Sequence, residues 1–129
     1  MKSIHILCII ALTTVSCSHN IDITDYIDPT QSFQVRDFAK IISPTVESEI
    51  QVKDLKHEQL LSWLELNNQN WIQTNDRHAA LIIIHQDKFR LLYYRNHEYV
   101  VVTLTDDDNV LHSYKQIVDT DGLIFLDKK

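Results

Sequence analysis

Glycine occurs once in this chain, at Gly122, and proline and cysteine twice each. A single glycine leaves no Gly-rich loop to cradle a phosphate. Turns must instead be made by Asp and Asn, which hydrogen-bond their own backbone and tolerate the left-handed region. Both cysteines, Cys8 and Cys17, lie near the start, so from Ser18 onward there is no thiol for a disulfide, a zinc site or a nucleophile. The G-x-S-x-G and H-E-x-x-H patterns are missing as well. Cations are scarce: 12 Lys and Arg face 18 Asp and Glu, a formal charge of −6. That balance argues against a nucleic-acid partner and against polybasic adhesion to anionic lipid, both of which need a basic footprint. It suits a basic protein partner, and nothing in the composition implies a cofactor.

What is present begins with MKSIHILCIIALTTVSC. Lys2 supplies a positive start, residues 4–15 form an apolar core, and small Ser16 precedes Cys17, which is the anatomy of an export signal. Twelve helical residues reach about 18 Å, short of a hydrocarbon core of about 30 Å, so the stretch reads as a segment to be cut rather than a membrane span. Thr14-Val15-Ser16-Cys17 resembles the lipobox of bacterial lipoproteins, with Thr14 where that family usually has Leu. The resemblance implies lipidation of Cys17, cleavage before it, and attachment to a membrane through the acyl chains. Each buried methylene contributes about 0.8 kcal/mol, so several chains hold firmly. Ser18 is not the aspartate typical of inner-membrane retention. By the same resemblance, the cell envelope is expected, at the outer membrane facing the periplasm.

The domain organisation expected is a signal peptide over residues 1–16, a lipid-anchored tether over 17–32, and a single α+β domain over 33–129. Loss of the signal takes the formal charge to −7 and leaves a length ordinary for one domain. The tether is polar and acidic, with Pro29 in a turn-like context. The alternative is that Ile21, Ile23, Tyr26 and Ile27 form a first strand or dock on the domain.

Residues 33–42 and 45–52 read as strands, the second through alternation of Val46, Ser48, Ile50 and Val52 with Glu47, Glu49 and Gln51. One main helix is predicted over about 55–67. Asp54 is its expected N-cap through the carboxylate, Leu60, Leu61, Trp63 and Leu64 form its packed arc, and Asn67-Asn68 is its expected left-handed stop. Trp71 is expected to pack beneath the helix end. Five further strand-like segments, 78–85, 88–94, 98–104, 110–118 and 123–127, predict an antiparallel meander of about five or more strands packed on that helix.

One hairpin can be placed in register. A two-residue turn at Asn96-His97 pairs Tyr93 with Val100, Leu92 with Val101 and Leu91 with Val102. Phe89, Leu91, Tyr93, Val100, Val102 and Leu104 then share the face under the helix. Arg90, Leu92, Tyr94, Tyr99, Val101 and Thr103 share the other, which is more apolar than a solvated surface requires. Arg90, Tyr94 and Tyr99 on that face are the candidate partner surface, against the alternative of plain cross-strand packing.

Little else points to chemistry. The histidines His19, His57, His78, His85, His97 and His112 read as surface or turn residues, although His85 and His97 could approach across neighbouring strands. The clusters at residues 106–109 and 119–122 faintly resemble calcium loops, but turn chemistry explains both. The sequence therefore favours a non-enzymatic, lipid-anchored protein that acts by binding another protein. In outline it is similar to small periplasmic immunity lipoproteins, which block a toxin or hydrolase. A structural or accessory lipoprotein of an envelope assembly is the alternative binding reading, and a small hydrolase is the enzymatic one.

Overall fold

The computed structural model describes residues 21–38, 46–75, 80, 82–94 and 97–126. The fold is α+β: an open antiparallel sheet of seven strands with one main helix on one face. The strands are β1 (Phe33–Asp37), β2 (Val46–Ile50), β3 (Ile72–Gln73), β4 (Ile82–His85), β5 (Phe89–Tyr93), β6 (Tyr99–Thr105) and β7 (Leu111–Ile117), in the order β2-β1-β4-β5-β6-β7-β3. Strands β4 to β7 form the meander that the short separations predict. The β1–β2 hairpin is added beside β4, and β3 adds two residues to the far edge.

The register of β5 on β6 is the one derived from the sequence, Tyr93 opposite Val100, Leu92 opposite Val101 and Leu91 opposite Val102. Residues 95 and 96 of the connecting turn lie outside the described residues. Because side chains alternate across a strand, this register sends Phe89, Leu91, Tyr93, Val100, Val102 and Leu104 into the main core, where they meet Phe33, Ile82 and Ile84.

The helix α1 (Leu55–Leu66) closes that core with Leu60, Trp63 and Leu64. Its start falls where expected, with Asp54 at the N-cap, but the capping differs. The Asp54 carboxylate makes no cap to the first turn and instead accepts from the Gln51 amide, while the Asp54 carbonyl takes the His57 and Glu58 amides. Its end differs too: Asn67 has φ −109°, and the left-handed residue is Asn70 at 68°. Asn67 serves the terminus through its side chain, which donates to the Trp63 carbonyl, and its own carbonyl accepts from the Trp71 indole. Trp71 is thus buried beneath the helix end, as expected.

Two segments depart further from the sequence reading. Of residues 123–127, expected as a strand, 123–126 belong instead to a 3-10 helix, Thr120–Leu126, that packs on α1, and residue 127 lies outside the described residues. Asp119 caps this helix by accepting from the Asp121 amide at 3.0 Å, and Leu123 is fully buried. The single glycine is explained here by close approach: a Cβ at Gly122 would lie 2.9 Å from the Trp63 indole nitrogen.

The expected tether is the other correction. From Ile21 the chain is docked on the body, forming a 3-10 turn, Ile23–Tyr26, whose Ile23 is 0% exposed in the main core. An isoleucine buried between helix and sheet gains about 1.5–3 kcal/mol over leaving it in water, and the half-buried Ile21, Tyr26 and Ile27 packed on the same core add to it against an ordering cost of about 1–2 kcal/mol per residue. Polar contacts fix the rest. The Ile23 amide donates to Asn68 Oδ1, and Gln86 grips the Asp28 amide and carbonyl at 2.8 and 2.9 Å. The Gln31 carbonyl accepts from both Gln86 and His57. His57 is therefore a buried core histidine whose ring packs tilted against Phe33, not a surface one.

Two substitutions test this packing. Ile23→Ala should lower unfolding free energy by about 2–4 kcal/mol in urea titrations, whereas a free tether would show no change. Gly122→Ala should cost about 1–3 kcal/mol by forcing Trp63 aside, with a shift in tryptophan emission.

Candidate functional site

The sheet has a second face, on the side away from α1, and alternation decides what it carries. Across β1, β4, β5, β6, β7 and β3, one row runs Arg36, Ile83, Leu92, Val101, Lys115 and Ile72. A parallel row runs Gln34, His85, Arg90, Thr103 and Ser113. Toward the β5–β6 turn lie Tyr94 and Tyr99, with Ile117 paired to Tyr99. Val101, Tyr94 and Ala80 form a small buried cluster on which Ile83, Leu92 and Tyr99 pack half-buried.

The aromatic end of this face is tightly built. Tyr94, His97 and Tyr99 meet with ring centroids 5.3 to 5.7 Å apart. The Lys115 ammonium sits 5.3 Å from the Tyr99 centroid, where the ring's negative face favours it. Beside this cluster lies a groove of about 470 Å³ lined by His97, Glu98, Ile117, Val118, Asp119, Thr120 and Asp121. Its two walls are joined by the Val118 amide donating to the Glu98 carbonyl at 3.0 Å and the Thr120 hydroxyl donating to the His97 carbonyl at 3.2 Å. Ile117 is 77% exposed on the rim, and Ile72 and Leu111 are exposed at 67% and 62% along the same edge of the sheet.

The three residues of the candidate partner surface are thus placed on one face, in different roles. Arg90 is exposed, Tyr99 is half-buried, and Tyr94 is buried beneath Tyr99, so that it supports the surface rather than forming it. The groove and the exposed Ile117 were not singled out in the sequence. The signal for them is an isoleucine on the polar-facing parity of β7, with Asp119 and Asp121 two and four positions further on. Cys17, His19 and His78 lie outside the described residues.

The arrangement offers binding chemistry: an aromatic face, an aliphatic ridge and a carboxylate-lined hollow. Elsewhere, Asp106 and His112 are committed to structure. Asp106 accepts from the Val110 and Asp108 amides at 2.8 and 3.0 Å and from His112 Nε2 at 2.8 Å. The His112 hydrogen bond, followed by those amides, holds its carboxyl below the usual aspartate range. Asn109 completes the turn with φ 62°. His85 and His97 sit toward opposite ends of the sheet, His85 beside Arg90 and His97 ahead of β6. Among the described residues, no three His, Cys, Asp or Glu side chains are grouped to hold a metal ion. No helix among them is long and apolar enough to cross a membrane.

No protein-family model, curated protein or solved structure shows detectable similarity to this chain.

A pH prediction follows from Asp106. Because its folded pKa is depressed, the turn gains stability at pH above the ordinary aspartate value and loses it as pH falls through the lowered folded value. Amide exchange at Asp108 and Val110 should therefore accelerate only in that acid range, and Asp106→Ala should show the faster exchange already at neutral pH.

Proposed function

We propose that this chain is a lipid-anchored envelope protein that acts by binding another protein through the open face of its sheet. The immunity or inhibitor role is the specific form of this reading. The observation that carries it is the pairing of an exposed aliphatic rim, Ile117 with Ile72, with the aromatic cluster of Tyr94, His97 and Tyr99 on a face that α1 does not cover. Exposed aliphatics grouped beside ordered aromatics mark contact surfaces, since aromatic anchors bring large area at low entropic cost. The groove carboxylates Glu98, Asp119 and Asp121 suit Lys or Arg side chains at the edge of such a contact, in keeping with a basic partner.

The docked segment supports anchoring in a definite orientation. Four Cα steps join Cys17 to Ile21 and span at most about 15 Å. With lipid on Cys17, the body rests close to the leaflet. The chain enters it through the helix layer, because Ile23 packs among α1 and β6 side chains. The open face lies on the other side of the sheet, turned toward the aqueous space.

Two measurements test the proposal. Mass spectrometry should find a thioether-linked diacylglyceryl group and an acylated amine on Cys17, and Cys17→Ser should release the protein from membranes. A photocrosslinking phenylalanine analogue at Tyr99 should capture one protein partner in cells, and Ile117→Asp should reduce the yield at least about tenfold, as burying a charge in a contact does. An unmodified Cys17 thiol, or equal capture with Ile117→Asp, would overturn it.

A further inference from the structure

The helix layer has exposed apolar side chains of its own, and the 3.6-residue period lines them up. Leu55 and Leu66 are three turns and about 20° apart, so they stand in one row about 16 Å long on the outward side of α1. Gln59 and Ser62 fill the row between them, both exposed and neither charged. Leu66, at 83%, is the most exposed large apolar side chain among the described residues, and Leu55 is 69% exposed. On the Glu65 flank of the helix, the docked segment borders a hollow of about 270 Å³ lined by Thr24, Ile27, Pro29, Leu61, Leu64 and Glu65. That segment begins at the Leu66 end of the row: the Ile23 amide is tied at 2.9 Å to Oδ1 of Asn68, two residues past Leu66.

We propose that this row of α1 is a second, non-covalent membrane contact, in which Leu55 and Leu66 enter the headgroup region of the leaflet that holds the Cys17 lipid. The inference rests on the anchoring reading above and adds the side chains by which the body itself meets the membrane. A lone exposed leucine is ordinary on a protein surface. The place of these two relative to the anchor is what gives them an occupant. The four Cα steps from Cys17 to Ile21 cover at most about 15 Å, no more than the length of the row. An acylated Cys17 therefore keeps the Leu66 end of α1 within a short tether of the leaflet. Tethering makes the second contact intramolecular, so the apolar gain from two leucines has only to tilt the body, not to capture it from solution. Glu58 and Glu65 border the row on one side and Lys56 on the other, so the contact is apolar rather than polybasic. Seated this way, α1 faces lipid and the open face of the sheet faces away from it.

The test uses the full lipidated chain in vesicles of phosphatidylethanolamine and phosphatidylcholine, with a diazirine-bearing amino acid placed at Leu66 or, separately, at Tyr99. After irradiation, mass spectrometry should find phospholipid adducts at Leu66 and at least about tenfold fewer at Tyr99, on the face turned away. Leu55→Ser should lower the lipid yield at Leu66 several-fold and, because Leu55 is exposed, leave the urea midpoint unchanged. Equal lipid labelling at the two positions, no lipid at Leu66, a yield unaffected by Leu55→Ser, or adducts at Leu66 to a second copy of the chain overturns the contact. So does capture of another protein at Leu66 in cells. In each of these cases a lipid-bearing Cys17 and retention on vesicles leave the anchoring reading intact. An unmodified Cys17 with the protein free in solution overturns both.

Discussion

A helix of twelve residues has to cover a sheet of seven strands. At about 1.5 Å per residue the helix spans about 18 Å, whereas six gaps of about 4.8 Å make the sheet about 29 Å across. The shortfall organises the molecule. The remaining cover on the helix side comes from two 3-10 segments, one on each side of α1 in the chain, which contribute Ile23 and Leu123 to the same core. Nothing of the kind is placed over the other face among the described residues. That face instead condenses its apolar side chains into a small cluster of its own around Val101 and Tyr94. Candidate site and core are therefore two outcomes of one constraint.

The same constraint accounts for the polar contacts at the start of the folded body. A segment recruited to seal a core by one isoleucine has to be held elsewhere, and it is held by side chains rather than by a ladder. Gln86 closes on Asp28 and Gln31, His57 reaches Gln31 from the helix, and Asn68 meets Ile23. His57 can occupy the core because its ring nitrogen finds a carbonyl there, which removes the cost of burying an unpaired polar group.

Much of this was legible in the sequence where a period governed the outcome. The β5–β6 register came from a two-residue spacing and strict alternation, and both faces it implied are present. The helix and its packed arc came from the 3.6 period. What was hidden depended on partners distant in the chain. The segment around Ile23 has no period of either kind, because a single 3-10 turn buries one residue. The segment from Leu123 has the composition of a strand, but Asp119 caps it and Gly122 lets it close on Trp63, so packing overrode propensity. His57 was the nearest miss: its spacing to Leu60 and Leu64, three and then four, puts it on the buried arc. The groove at Ile117 needed the fold, since its walls belong to segments twenty residues apart.

The outermost strand β2 bears on how such a sheet stays solitary. It carries Glu47 and Glu49 on the side that faces solvent, Arg36 meets Glu47, and Ser32 hydrogen-bonds Glu49. A charged margin of this sort resists lengthening of the sheet by a stranger's backbone, the route by which exposed strands aggregate. On the opposite margin, β3 caps the middle of β7. With lateral growth discouraged at these positions, encounters are channelled to flat stacking on the sheet, where side chains rather than main-chain hydrogen bonds choose the companion.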